Sequence, residues 1–119
     1  MIARKIYEWV KQSGLAIQWG KGSSYGAFYP VTGASSKKDM FAVRSDGKIE
    51  LILDNLNPPY HEARQREAMV SCINGINTAL SIRSSGYPSF ALTLLRDEKA
   101  LASFLSIYEG YATVVKSSK

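Results

Sequence analysis

The stretch Gly20-Lys21-Gly22-Ser23-Ser24-Tyr25-Gly26 comes nearest to chemistry in this sequence. Glycines let several backbone N–H groups converge on a phosphate, and a lysine adds charge. A P-loop needs a wider glycine spacing, then Lys-Ser or Lys-Thr opening a helix, whereas Ala27-Phe28-Tyr29-Pro30-Val31 reads as a strand. A strand-loop-strand setting is shared with kinase glycine-rich loops, with Phe41-Ala42-Val43-Arg44 standing where a lysine-bearing strand would come. No catalytic-loop or metal-binding motif follows, so kinase chemistry is excluded. The ordinary role of Gly20, Gly22 and Gly26 is a hairpin connection, and anion contact by this loop stays open.

Other chemistries find no constellation. His61-Glu62 would need a histidine at position 65 to make a zinc motif, and Gln65 stands there. One histidine and one cysteine leave no zinc set, so neither metal nor cofactor is expected. Cys72 stands beside Ile73 and is expected to be a small buried core thiol. Asp39, Asp46, Glu50 and Asp54 lie on or near one hairpin, but Asp46 suits a turn, Glu50 alternates outward between Ile49 and Leu51, and Asp54 ends a strand. A metal-dependent nuclease needs carboxylates converging on one ion, and no catalytic residues are assigned. Ser23, Ser24, Ser35 and Ser36 have no histidine near in sequence to activate them.

What remains is a basic and aromatic set on the two expected hairpins: Trp19, Lys21, Tyr25, Tyr29, Lys37, Lys38, Arg44 and Lys48. Stacking of bases on aromatics with phosphate contacts from Lys and Arg holds single strands without reading sequence. If Gln18, Arg44 and Lys48 mark the solvated face, these residues form one patch. The competing expectation is that Trp19 shares the face of Ile17 as core, while surface lysines guard strand edges. Net charge agrees with a polyanion partner: fifteen Lys and Arg against ten Asp and Glu give +5. Two of those cations, Lys116 and Lys119, fall in an expected flexible tail over 116–119.

These side chains must be positioned by a single domain spanning 1–119, a length that buries a core without disulfides. The lone cysteine and the missing N-terminal apolar run make a cytoplasmic setting the expectation. No apolar run is long enough to span a bilayer, so no membrane partner is expected.

Ile2, Ile6, Trp9 and Val10 share one side of an opening helix, which Gly14 ends. The period then switches to two at Leu15, Ile17 and Trp19, and a second strand over Ala27–Val31 is ended or edged by Pro30. Met40–Arg44 and Ile49–Leu53 flank the turn Ser45-Asp46-Gly47. A second helix runs from near Pro59 to about Asn74, with Ala63, Met69, Val70 and Ile73 laid on the sheet. Ala79–Ile82 is a candidate short strand before the turn Ser84–Pro88. Asp97 caps a last helix whose buried face is Leu101, Phe104, Leu105, Tyr108, Ala112 and Val115. The expected architecture is a two-layer α+β domain, a four-stranded antiparallel meander with three helices on one face.

The run Trp19 to Pro30, then Phe41, Asp46-Gly47-Lys48-Ile49-Glu50 and Tyr87-Pro88-Ser89 with Leu92, resembles a small prokaryotic α/β module. Some proteins carrying it are nuclease-like or defence-associated, and the module there follows another domain. The resemblance spans roughly Tyr7 to Tyr108, implies no catalytic residues and supports the fold more than the function. Two functions follow as expectations: an accessory nucleic-acid-binding module, or a protein-interaction domain acting as adaptor or inhibitor of a larger nucleic-acid-processing protein. Oligomeric state, sequence preference and pathway are left open.

Overall fold

The computed structural model describes residues 2–21, 26–33 and 38–117. Helix α1, Ile2–Gln12, buries Ile6 and Val10 completely, as the opening apolar spacing requires. It ends where expected. Gly14 takes φ +72°, which the left-handed cap favours in glycine, and Leu15 N–H reaches back to the Val10 carbonyl at 3.2 Å. The cap aims the chain directly into the sheet.

Five antiparallel strands follow in the order β1-β2-β3-β4-β5: Ala16–Lys21, Gly26–Val31, Phe41–Arg44, Lys48–Leu51 and Ser89–Ala91. The first four form the expected meander, with Gly47 at φ +85° closing the turn between β3 and β4. Pro30 lies inside β2 rather than ending it, opposite Ile17 of β1. Its cost falls on the other side: the β2–β3 register stops at Phe28↔Val43, because a proline offers no N–H where the next bonded pair would form.

The fifth strand is Ser89–Ala91, not the expected Ala79–Ile82. Asn74, at the end of helix α2 (Ala63–Asn74), accepts from Ile82 N–H at 2.7 Å and donates to the Ile82 carbonyl at 3.0 Å. That amide occupies the backbone groups a strand partner would need. Phe90, facing the Phe104 ring at 6.0 Å, secures β5 to the core instead.

A 3₁₀ turn at Leu92–Leu95 leads to α3, Glu98–Ser117, where Asp97 accepts from Lys99 N–H at 3.0 Å as the N-cap. Leu101, Phe104, Tyr108, Ala112 and Val115 are buried as expected. Phe41 of the sheet meets both α3 rings, 5.1 Å from Phe104 and 4.8 Å from Tyr108. Tyr7 of α1 meets Phe28 edge-on at 5.8 Å, so α1 and α3 cover the same side of the sheet.

Three expectations for α2 are corrected. Its principal packing partner is α3 rather than the sheet. Ala63 is exposed, with Met69, Val70 and Ile73 alone forming the buried stripe. Cys72 is exposed too: the residue before Ile73 lies roughly 100° around the helix, which turns it away from the stripe. His61, also exposed, stands in the turn ahead of α2.

Candidate binding surface

The sheet register sorts the basic and aromatic set onto two faces. Cross-strand partners share a face, so Trp19, Phe28, Val43, Ile49 and Phe90 form one row toward the helices. Gln18, Tyr29, Arg44 and Lys48 point the other way, as the alternation implied. Trp19 therefore does share the face of Ile17, yet it is 70% exposed, because α1 covers that row only as far as Tyr7. The indole centroid is 6.3 Å from Tyr7 and 5.9 Å from Phe28, leaving its outer surface in solvent.

Beside Trp19 lies an open groove of about 640 Å³ between the start of α1 and the ends of β1, β2 and β3. Ala3, Phe28 and Val43 supply its apolar floor, and small residues at Gly20, Gly26 and Ala27 keep it wide. Arg44 and Ser45 line its β3 end. Large exposed apolar surface of this kind marks interaction sites more often than singly scattered hydrophobics do. Sequence reasoning placed Trp19 in the set but not the groove, which depends on how α1 crosses the sheet.

On the outer face Tyr29 is already engaged. Its ring lies against Gly20, so close that a β-carbon there would sit 2.8 Å from Cε1, and the Lys38 ammonium rests 4.0 Å from its centroid. Arg44 faces Asp46 at 2.6 Å and Glu50 at 3.6 Å, so two carboxylates offset its charge within the patch. Lys48 is exposed on the same face. Lys21 ends β1, while Tyr25 and Lys37 lie outside the described residues, as does most of the glycine-rich loop. The register puts Tyr29, Arg44 and Lys48 on the outer face, with Lys38 over the Tyr29 ring, and Trp19 on the opposite face, while Trp19 and Arg44 both line the groove at this end of the sheet.

The carboxylates do not converge as a nuclease would require. Asp46 and Glu50 serve Arg44, and Asp54 accepts from Gly86 N–H at 2.9 Å. No group of His, Cys, Asp and Glu able to hold a metal ion occurs among the described residues.

Asp39 is the unexpected member, 1% exposed and fully partnered. It accepts from Thr32 N–H at 3.1 Å, Thr32 Oγ1 at 2.6 Å, Asn57 Nδ2 at 2.8 Å and Tyr111 Oη at 2.9 Å. Tyr111 Oη in turn accepts from Asn57 N–H at 3.0 Å. The node ties the end of β2, the loop before α2 and α3 to one point. Burial pushes the Tyr108 and Tyr111 phenols well above the usual tyrosine range, and the negative charge of Asp39 adds to both shifts. These donors hold the buried carboxylate within the fold.

Among its described residues the chain is an α+β domain of five antiparallel strands and three helices, none of them long and apolar enough to cross a membrane. No protein-family model matches the chain, and neither a curated protein nor a solved structure does.

Proposed function

We propose that this chain is a protein-interaction domain that binds through the Trp19 end of its sheet. The observation that carries the proposal is the 70% exposed indole beside an apolar groove of about 640 Å³. An amphipathic aromatic next to an open apolar floor is the composition of an interface anchor, since it supplies large contact area at low entropic cost. The resemblance to modules of nuclease-like proteins directs the partner class toward a larger nucleic-acid-processing protein. In a pull-down from nuclease-treated lysate of the source organism, the wild-type chain retains a partner that Trp19→Glu loses. Equal retention by both chains would overturn the proposal.

A second reading is contact with nucleic acid through the outer face, favoured by Lys38 over the Tyr29 ring, by Lys48 exposed on the same face and by the +5 charge. With Arg44 facing two carboxylates, the phosphate contacts fall to Lys38 and Lys48, with Lys21 and Lys37 of the candidate set. Log affinity against log salt then falls with a slope of about −3. Absence of any retention of single or double strands at roughly 50 mM salt ends this reading.

A further inference from the structure

We infer that the free edge of β1 takes up an extended, acidic segment of a partner protein as a sixth strand, an inference that rests on the protein-interaction reading. β1 is the first strand of the sheet order and pairs only with β2 among the described residues. The bond from Ser45 N–H to the Gly26 carbonyl, 2.8 Å, fixes which residues of β2 bond toward β3. In an antiparallel ladder these alternate, so Gly26 and Phe28 face β3. Ala27, Tyr29 and Val31 then bond to their partners Gly20, Gln18 and Ala16. The main-chain N–H and C=O groups of Ile17 and Trp19 consequently point outward.

Natural edge strands are guarded by charge, proline or a bulge. β1 has no proline and its one charged residue, Lys21, stands at its end, and the β1–β2 register runs without a bulge from Ala16↔Val31 to Lys21↔Gly26. An added strand satisfies the outward groups, and its side chain opposite Trp19 continues the row of Trp19, Phe28 and Val43. An apolar residue there covers the exposed indole and borders the groove.

Charge selects the partner. Between Glu8 and Asp39 the sequence contains no acidic residue, and its charged side chains are Lys11, Lys21, Lys37 and Lys38. Lys38, over the Tyr29 ring, sets one of these charges on the outer face of the β1–β2 hairpin. Acidic residues at the alternate positions of an incoming strand that face away from Trp19 meet that charge. A main-chain ladder and an apolar floor favour a polypeptide over a phosphate backbone, which offers neither an N–H nor a carbonyl in register.

The test uses the whole chain, labelled for amide exchange by NMR, with a synthetic peptide Glu-Val-Glu-Phe-Glu-Val-Glu as probe. Its Lys-for-Glu counterpart, a version N-methylated at alternate backbone positions and oligothymidylate are the comparison arms. The Glu peptide slows exchange at Ile17 and Trp19 by about tenfold or more, N-methylation or Trp19→Ala weakens its binding by about tenfold, and the Lys peptide has no effect. Chemical-shift changes at Trp19 without protection of those two amides would overturn strand addition while leaving the interaction reading standing. No binding of the Glu peptide overturns the inference, and the lysate experiment with Trp19→Glu then judges the broader reading separately. Protection by oligothymidylate, or by a second copy in the free protein, would likewise overturn it.

Discussion

Asp39 and Trp19 invert the usual distribution of polar and apolar groups, and they do so at opposite ends of β2. Asp39 is a charge buried at 1% exposure, near the end of β2, and Trp19 is a large aromatic left 70% exposed opposite Phe28. Each inversion costs free energy unless something offsets it. For Asp39 the offset is internal, because every donor it needs comes from Thr32, Asn57 and Tyr111. For Trp19 nothing inside the described chain completes the contact, and the neighbouring strand edge is equally incomplete. A buried polar group that is fully satisfied reports on folding, whereas the exposed Trp19 is where the proposed binding is read.

The sharpest break of the comparison is Asp39→Ala. It removes the shared acceptor of Thr32, the Asn57 amide and the Tyr111 hydroxyl, so a loss of about 3 kcal/mol or more is expected in denaturant unfolding. A loss below about 1 kcal/mol would mean that water replaces the carboxylate and the node is dispensable. Because the residue lies away from the groove, partner retention by the fraction that folds is expected to persist.

The tyrosines of the same region set an alkaline limit. Their folded-state values are raised above the ordinary 10.0 of the unfolded chain, chiefly by burial. Their contribution is therefore complete below about pH 10 and is lost as pH climbs above it, at about 1.4 kcal/mol per pH unit for each group. Absorbance titration is expected to show Tyr108 and Tyr111 ionising only as the fold melts. Tyr108→Phe should reduce the steepness of alkaline destabilisation, and an unchanged pH profile in that variant would contradict its buried, protonated state.

How far these features were legible in the sequence follows from their physical origin. The α+β class, the meander, the Gly14 cap and the Asp97 cap are set by local periodicity and turn chemistry, so the residues declare them directly. The fifth strand was not legible, since its place depends on Asn74 capturing Ile82 across the chain. Asp39 read as one acidic residue among several, because its partners are 7, 18 and 72 positions away. Trp19 was singled out by type and spacing, but alternation places it on the core side, and only the path of α1 leaves it uncovered. Cys72 was misplaced by a single position of helical phase.

Cys72 offers a smaller test of that phase. As an exposed thiol on α2 it is expected to react with a thiol reagent in the folded protein at a rate close to that of the unfolded chain. Cys72→Ser should change stability by less than about 0.5 kcal/mol. Slow labelling limited by unfolding would restore the core assignment.

The most direct measurement is to take Trp19→Ala through thermal melting and partner retention side by side. Removing a side chain that is 70% exposed is expected to shift the melting temperature by only about 2 °C or less. Retention of the partner from nuclease-treated lysate should nevertheless be lost. A melting temperature lowered by about 10 °C, or a partner retained as well as by the wild-type chain, would contradict the assignment of this edge to binding.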